Sequence, residues 1–173
     1  AYSNLGNTLN KLDKYEEAIT SFNKSIELNS VSPEAHNNLG NALNKLDKYE
    51  EAITSFNKAI QLKPNYANAY SNLGNALNKL NKHEEAITSF NKAIELQPDY
   101  ANAYNNLGNA LNKMNKHEEA ITSFNKAIEL QPDYATGYSN LGVALDELGR
   151  HEKAAASYNK AIELNPGHAD AYN

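Results

Sequence analysis

The amino-acid sequence predicts an all-α protein, an α-solenoid of about five stacked helix–turn–helix units. Apolar residues recur within each unit at the spacing of two amphipathic helices. A proline closes four of the five units, where it ends the second helix. The dipeptide Leu-Gly recurs at a constant interval of 34 residues, at Leu5, Leu39, Leu73, Leu107 and Leu141.

The repeat covers essentially the whole chain, so we expect a single array over residues 1–173. Its units are 1–32, 33–66, 67–100, 101–134 and 135–168, with a partial sixth at 169–173. Units 67–100 and 101–134 agree at 32 of 34 residues, which indicates recent duplication. The chain begins with Ala rather than Met, which suggests a piece of a longer protein.

The first helix of unit 67–100 is predicted to run from Ala67 to Leu80, with Tyr70, Leu73 and Leu77 on one face. Asn81 follows it and suits a left-handed C-terminal cap. The same position in the other units holds Asp13, Asp47, Asn115 and Gly149.

The second helix is predicted to begin near His83, where Glu84 and Glu85 favour its positive end. Pro98 ends this helix, and Asp99 is predicted to cap the next one. The first unit has Ser30 in place of the proline and Pro33 three residues later, so its junction is expected to be looser or shifted.

Each unit also carries a fixed set of residue types. In unit 67–100 these are Tyr70, then Leu-Gly three residues on, then Ala86, Phe90, Ala93 and Pro98. This pattern resembles the tetratricopeptide repeat, although Tyr or His stands where that family often has Trp. The resemblance implies a right-handed superhelix whose first helices line the concave surface.

Composition excludes several classes of function. The chain has no Cys, so it has neither disulfides nor thiolate ligands. It lacks an apolar run long enough to span a membrane, and its N-terminus is not that of a signal peptide. A pI near 5.5 argues against nucleic-acid binding. We therefore expect a cytoplasmic protein without cofactor or metal, and the sequence holds no catalytic constellation.

The histidines of the second helices are a weak candidate for metal ligands. They are His83, His117 and His151. Because they lie one repeat apart, they are too far from one another to share an ion directly, and packing between helices is the better interpretation.

Asparagine is the most unusual feature, with 28 residues in 173. Such a composition alone is compatible with a disordered, prion-like tract. Most of these residues instead fall in four columns spaced by the repeat. The first is Asn4, Asn38, Asn72, Asn106 and Asn140; the second is Asn7, Asn41, Asn75 and Asn109; the third is Asn10, Asn44, Asn78 and Asn112; the fourth is Asn23, Asn57, Asn91, Asn125 and Asn159. The first three columns are predicted to face the groove and the fourth to face outward.

A column of amides suits an extended peptide, since each amide offers two donors and an acceptor to a peptide backbone. Helices pack ~8–10 Å apart and an extended chain advances ~3.3 Å per residue, so one Asn serves about three peptide residues. Lysines lie beside the columns and make the groove mildly basic, or are simply solvated. The candidate binding residues are Asn4, Asn7, Asn38, Asn41, Asn72, Asn75, Asn106, Asn109, Asn140, Lys45, Lys79 and Lys113.

The columns resemble the Asn ladder in the superhelix of the O-linked N-acetylglucosamine transferases, which implies binding of extended protein substrates. Duplication of an incidental, solvent-facing Asn is the alternative. The basic partners that some family members use to hold chaperone tails are missing here, because those positions carry residues such as Ser71 and Asn68.

Three functions follow from these patterns. The leading one is a non-catalytic scaffold that binds an extended peptide or protein segment in the concave groove. The second is self-assembly by head-to-tail stacking, in which Tyr158 and Ile162 meet Tyr2, Leu5 and Leu9 of another copy. The third is the substrate-recruiting arm of a larger enzyme such as a glycosyltransferase.

Overall fold

The protein, represented by a computed structural model, is described over residues 1–166, and this part of the chain is all α. The ten helices are α1 Tyr2–Lys11, α2 Tyr15–Leu28, α3 Pro33–Lys45, α4 Tyr49–Leu62, α5 Ala67–Lys79, α6 His83–Leu96, α7 Ala101–Lys113, α8 His117–Leu130, α9 Ala135–Glu147 and α10 His151–Leu164. We call the odd-numbered helices A helices and the even-numbered ones B helices. Five A–B pairs therefore follow the five units predicted from the 34-residue period.

A residue in the left-handed region joins each A helix to its B helix, as predicted. Its φ is 57–58° at the four positions that hold Asp or Asn and 68° at the glycine. Asp and Asn tolerate this conformation better than other non-glycine residues. The five residues are Asp13, Asp47, Asn81, Asn115 and Gly149.

The junctions between units differ in one respect from the prediction. Asp99 does not cap α7: the N-cap residue is Tyr100, which makes no side-chain bond there. The backbone turns one residue later than expected, with the Ala101 N–H donating to the Asp99 carbonyl oxygen. The altered first junction is the one that is capped, because the Ala35 N–H donates to Ser32 Oγ at 3.2 Å and Pro33 opens α3.

The helices group into two compact units, each of which contains more than one of the 34-residue repeats. The names unit 1 and unit 2 are used only for these larger units. Unit 1, Ala1–Leu96, contains α1–α6, and unit 2 begins at Gln97 and contains α7–α10. In each unit a B helix packs against both its own A helix and the next one. A single array over residues 1–173 stays a prediction, and the partial sixth unit lies outside the described residues.

Neighbouring A helices also contact each other directly within each unit. In unit 1, α3 contacts α1 and α5, and in unit 2, α7 contacts α9. Within the described part of each unit, no comparable contacts join successive B helices. Each unit therefore curves toward its A helices, which places them on the inner side, as the first helices were predicted to lie.

The core of each repeat is a ring packed against a glycine. Phe90 is fully buried, and a Cβ added to Gly74 would lie 2.6 Å from its Cε1 atom. The last repeat has Tyr158 and Gly142 in these positions. The two helices of each repeat therefore approach closely at the Leu-Gly position, which fixes how each A helix presents its other face.

Candidate functional site

One stripe of each A helix faces away from this core. On α5 it consists of Asn68, Asn72, Asn75 and Lys79, whose spacings of four, three and four residues place them on one side of the helix. All four are exposed or half-buried. We call these positions the A-face stripe of each helix. The corresponding residues are Asn4, Asn7 and Lys11 on α1; Glu34, Asn38, Asn41 and Lys45 on α3; Asn102, Asn106, Asn109 and Lys113 on α7; and Thr136, Asn140, Val143 and Glu147 on α9.

The first Asn column bonds across repeats. In unit 1, Asn38 Nδ2 donates to Asn7 Oδ1 at 2.9 Å, and Asn72 Nδ2 donates to Asn37 Oδ1 at 3.1 Å. In unit 2, Asn140 Nδ2 donates to Asn105 Oδ1 at 2.9 Å. These side chains therefore tie α3 to α1, α5 to α3 and α9 to α7, and they are held in place before any ligand arrives.

The acceptor of this bond depends on the residue just before the first column. That position alternates along the chain as Ser3, Asn37, Ser71, Asn105 and Ser139. Where the preceding repeat has Asn there, its buried amide accepts the bond; after Ser3, the amide of Asn7 accepts it. The alternation is visible in the sequence, but its bonding role depends on contacts between two repeats.

In the second Asn column, Asn7 accepts the bond from Asn38, and the other three members differ from it. Among the described residues, the side-chain amides of Asn41, Asn75 and Asn109 make no hydrogen bond, although all three are half-buried. A half-buried amide without a protein partner is open to a ligand, since polar groups that lose water gain most from a replacement bond. In unit 1, Asn41 and Asn75 lie on the adjacent helices α3 and α5.

The third column does not face the groove, which corrects the prediction. Asn78 Oδ1 lies 2.5 Å from His83 Nδ1, and Asn112 Oδ1 lies 2.6 Å from His117 Nδ1. The histidine N–H at the start of α6 and of α8 thus donates to the preceding A helix. The packing interpretation of these histidines is confirmed, because they join the two helices of a hairpin.

The earlier repeats replace this histidine by tyrosine. Tyr15 and Tyr49 donate their hydroxyl groups to Asp13 and Asp47, which raises the pKa of both phenols. The buried Oδ1 atoms of the third column, in Asn10 and Asn44, have no hydrogen-bond partner in the described structure. The third column is therefore a hairpin contact whose partner varies with the residue at the start of the B helix.

The stripe lysines and the B-helix lysines differ in their partners. Among the described residues, Lys45, Lys79 and Lys113 are exposed and have no carboxylate within ion-pair distance. On the B helices, Lys92 instead contacts Glu95 at 2.7 Å, and this hydrogen bond raises the pKa of Lys92. The fourth Asn column also lies on the B helices, and its five members are exposed, as predicted.

The A-face stripe of α9, in the last described repeat, differs from the others at two positions where they agree. On α9 the second amide is replaced by Val143, which is 41% exposed, and the lysine is replaced by Glu147. Asn140 is the one predicted binding residue that α9 retains. Stripes with both amides and a lysine thus occur on α1, α3 and α5 in unit 1 and on α7 in unit 2.

Metal sites and membrane spans are both missing from the part of the chain that the structure describes. These residues hold no group of three or more His, Asp or Glu side chains arranged to bind a metal ion. None of the described helices has the length and hydropathy of a membrane span.

Family models match along most of the chain. A model described as TPR repeat matches residues 6–47, 40–80 and 74–115, and a second, described as tetratricopeptide repeat, matches residues 99–166. The chain belongs to the tetratricopeptide repeat family. The helix pairs of the structure are the helix pairs of that repeat, so the family resemblance in the sequence is confirmed.

Solved structures of other tetratricopeptide repeat proteins are similar over nearly the full chain. MamA (residues 41 to the end) from Desulfovibrio magneticus has 27% identity and a TM-score of 0.85, over 97% of this chain and 95% of that one. A thermophilic protein of the family from Thermus thermophilus, TTC0263, has 25% identity and a TM-score of 0.82, over 99% and 93%. YrrB, described as having an unusual peptide-binding site, has 29% identity and a TM-score of 0.78, over 99% and 88%.

No curated protein matches the chain. The likeness of the Asn columns to those of the O-linked N-acetylglucosamine transferases stays a prediction, as does a role as the recruiting arm of a larger enzyme.

Proposed function

We propose that the protein is a non-catalytic scaffold that binds an extended peptide segment along its A-face stripes. The observation that carries this proposal lies in the second Asn column, where the half-buried amides of Asn41, Asn75 and Asn109 have no hydrogen-bond partner among the described residues. The similar protein YrrB, described as having an unusual peptide-binding site, supports a peptide as ligand.

The two Asn columns have different tasks in this proposal. The first column is held by bonds between repeats and keeps the spacing of the A helices. The second column binds the ligand, because each amide can donate to a backbone carbonyl oxygen and accept from a backbone N–H. Each such bond contributes on the order of 1 kcal/mol, so several in a row are needed for useful affinity. Binding of this kind reads the peptide backbone rather than its side chains.

The double substitution Asn41→Ala with Asn75→Ala tests the role of the second column. The probe is a neutral, extended peptide of about twelve residues, made of Thr, Ser and Gln, which spans several A helices. We expect its affinity to fall on the order of tenfold, measured by fluorescence anisotropy of the labelled peptide. The melting temperature should rise slightly, since Ala is a better helix former than Asn by about 0.5 kcal/mol.

The matched control is Asn57→Ala with Asn91→Ala, at the exposed fourth column of the same two repeats. It makes the same chemical change and the same gain in helix propensity, but away from the A face. Equal affinity of the two double variants, or a wild-type protein that leaves the peptide unbound, would contradict the proposed function.

Self-assembly is a second candidate, and one specific observation favours it. Tyr2 and Leu5 of α1 are exposed, and Leu12 directly after α1 is exposed as well. Tyr158 and Ile162 of α10 are only half-buried. Head-to-tail stacking of copies would cover these side chains in the manner of a repeat-to-repeat contact.

Light scattering over a concentration series tests this candidate. The expected result is a mass that grows with concentration in the wild type and stays lower in Leu5→Lys. A mass that is constant and monomeric at the highest concentration would overturn it. Leu39→Lys is unsuitable as a control because that side chain is buried, whereas Lys11→Gln changes α1 without altering its apolar face.

A further inference from the structure

The stripe lysines of unit 1 form a row of unneutralised charge. Lys11, Lys45 and Lys79 are exposed at the C-terminal ends of α1, α3 and α5, and in the described structure none has a carboxylate within ion-pair distance. The acidic residue on these three helices is Glu34, and Lys63 lies 3.6 Å from its carboxylate. The A face of unit 1 therefore carries positive charge that the protein itself does not balance.

The opposite arrangement holds on the B helices of unit 1. Each of α2, α4 and α6 carries more acidic than basic residues. Lys24 and Lys92 are paired with Glu27 and Glu95 at 2.8 and 2.7 Å, and Lys58 donates to Gln61. In unit 1, the A face and the B helices thus carry charge of opposite sign, although the net charge of the chain is −5.

Helix stability does not account for the lysine row. A basic residue in the last turn of a helix is favourable because it faces the negative end of the helix dipole. However, α9 ends with Asp146 and Glu147 and has the same 13-residue length as α5, which ends with Lys79. The helix end therefore forms without a lysine, so helix formation does not require the row on α1, α3 and α5.

We propose that the A face of unit 1 selects an extended segment rich in carboxylates, whose acidic side chains pair with Lys11, Lys45 and Lys79 while Asn41 and Asn75 bind its backbone. This inference rests on the proposed function and names the chemistry of its partner. The spacing of adjacent A helices, ~8–10 Å, corresponds to one acidic residue in about every three of an extended chain. In unit 2 the stripe lysine of α9 is replaced by Glu147, so an acidic ligand gains less there.

Two labelled peptides of about twelve residues test the inference, one repeating Thr-Ser-Glu and the other Thr-Ser-Gln, with the register set by strand rise. The wild type should bind the Glu peptide on the order of tenfold more tightly at low salt. Raising the ionic strength should reduce this preference, because exposed ion pairs are screened. The readout is fluorescence anisotropy over a titration.

A charge-matched pair of variants then locates the effect. The triple variant Lys11→Gln, Lys45→Gln and Lys79→Gln should lose the preference for the Glu peptide. The control is Lys24→Gln, Lys58→Gln and Lys92→Gln, which changes the net charge equally in the same three repeats but on the B helices. It should keep most of the preference.

The outcomes separate the two proposals. Equal losses in the two triple variants would mean that overall charge, and not the A face, selects the ligand, which overturns the inference. Equal binding of the Glu and Gln peptides, with Asn41→Ala and Asn75→Ala weakening both, would overturn the acidic preference and leave the peptide-binding function standing. If the wild type binds neither peptide, both the inference and the proposed function fail.

Discussion

Gly142 in α9 illustrates how a single missing side chain determines the packing of a repeat. A Cβ at this position would lie 2.5 Å from Cε1 of Tyr158, closer than carbon atoms can pack. Gly137 lies in the same helix, where a Cβ would come no nearer than 3.1 Å to Tyr134. The other full repeats have Ala at the Gly137 position, in Ala35, Ala69 and Ala103. The two glycines therefore differ in whether the fold requires them.

Gly142→Ala should reduce the free energy of unfolding by about 2 kcal/mol, because the ring and the two helices must move apart. Gly137→Ala should instead stabilise by up to about 1 kcal/mol, since Ala is the better helix former and a small shift of Tyr134 makes room. Urea denaturation of both variants measures the difference. Both remove one glycine from the unfolded chain, so their contrast reports on the folded state. A stabilising Gly142→Ala would show that the close approach is not a constraint.

At the same scale, the sequence predicted the Asn columns but not their partners. The first and third columns look alike when one helix is considered alone. The two columns differ in the helix that they contact. Asn72 bonds to Asn37 of the preceding repeat, while Asn78 bonds to His83 of its own hairpin. Helical periodicity gives the side of the helix on which a residue lies, whereas the partner of an amide, and with it whether the amide faces the groove, depends on which helix lies next to it.

At the scale of the elements, local chemistry predicted the turns better than the helix starts. The left-handed residue between A and B helices follows from the preference of Asp, Asn and Gly for that conformation. The cap proposed for Asp99 failed because the helix begins after Tyr100 instead. An acidic residue near a helix start suits the dipole at several positions, so its presence does not fix the N-cap.

Ser32 is the side-chain cap that the structure does show, and its removal is testable. Ser32→Ala should cost about 1 kcal/mol, because the N–H of Ala35 loses its acceptor at the start of α3. Ser30→Ala is the matched control, since Ser30 is exposed and in the described structure its hydroxyl makes no hydrogen bond. It should change the melting temperature little. Equal shifts for the two variants in calorimetry would count against the capping role.

At the scale of the whole molecule, near-identical repeats make stability a sum of similar contributions. Each hairpin cannot bury its apolar face alone and depends on its neighbours in the chain. The fold class was predictable from this repetition, because a correct assignment of one helix pair also assigns the other four. The basic character of the A face was one of two interpretations of the lysine positions, because the sequence does not show which lysines pair with a carboxylate.

Removal of one whole repeat tests this additivity. Deleting residues 67–100 joins Tyr66 to Ala101, which restores the Tyr-Ala junction found at Tyr66–Ala67 and at Tyr100–Ala101. The shortened protein should stay helical by circular dichroism, with a lower free energy of unfolding. Its denaturant m-value should fall by about a fifth, because m scales with the surface that unfolding exposes.

Deleting residues 101–134 instead provides the control for that experiment. Units 67–100 and 101–134 differ only at Ser71/Asn105 and Leu80/Met114, so the two shortened chains differ at just these two positions. Their free energies of unfolding should agree within about 1 kcal/mol, roughly the net contribution of one hydrogen bond. If one deletion abolishes cooperative unfolding while the other does not, the side chains at these two positions decide the stability, and the contribution of a repeat does not follow from repeat number alone.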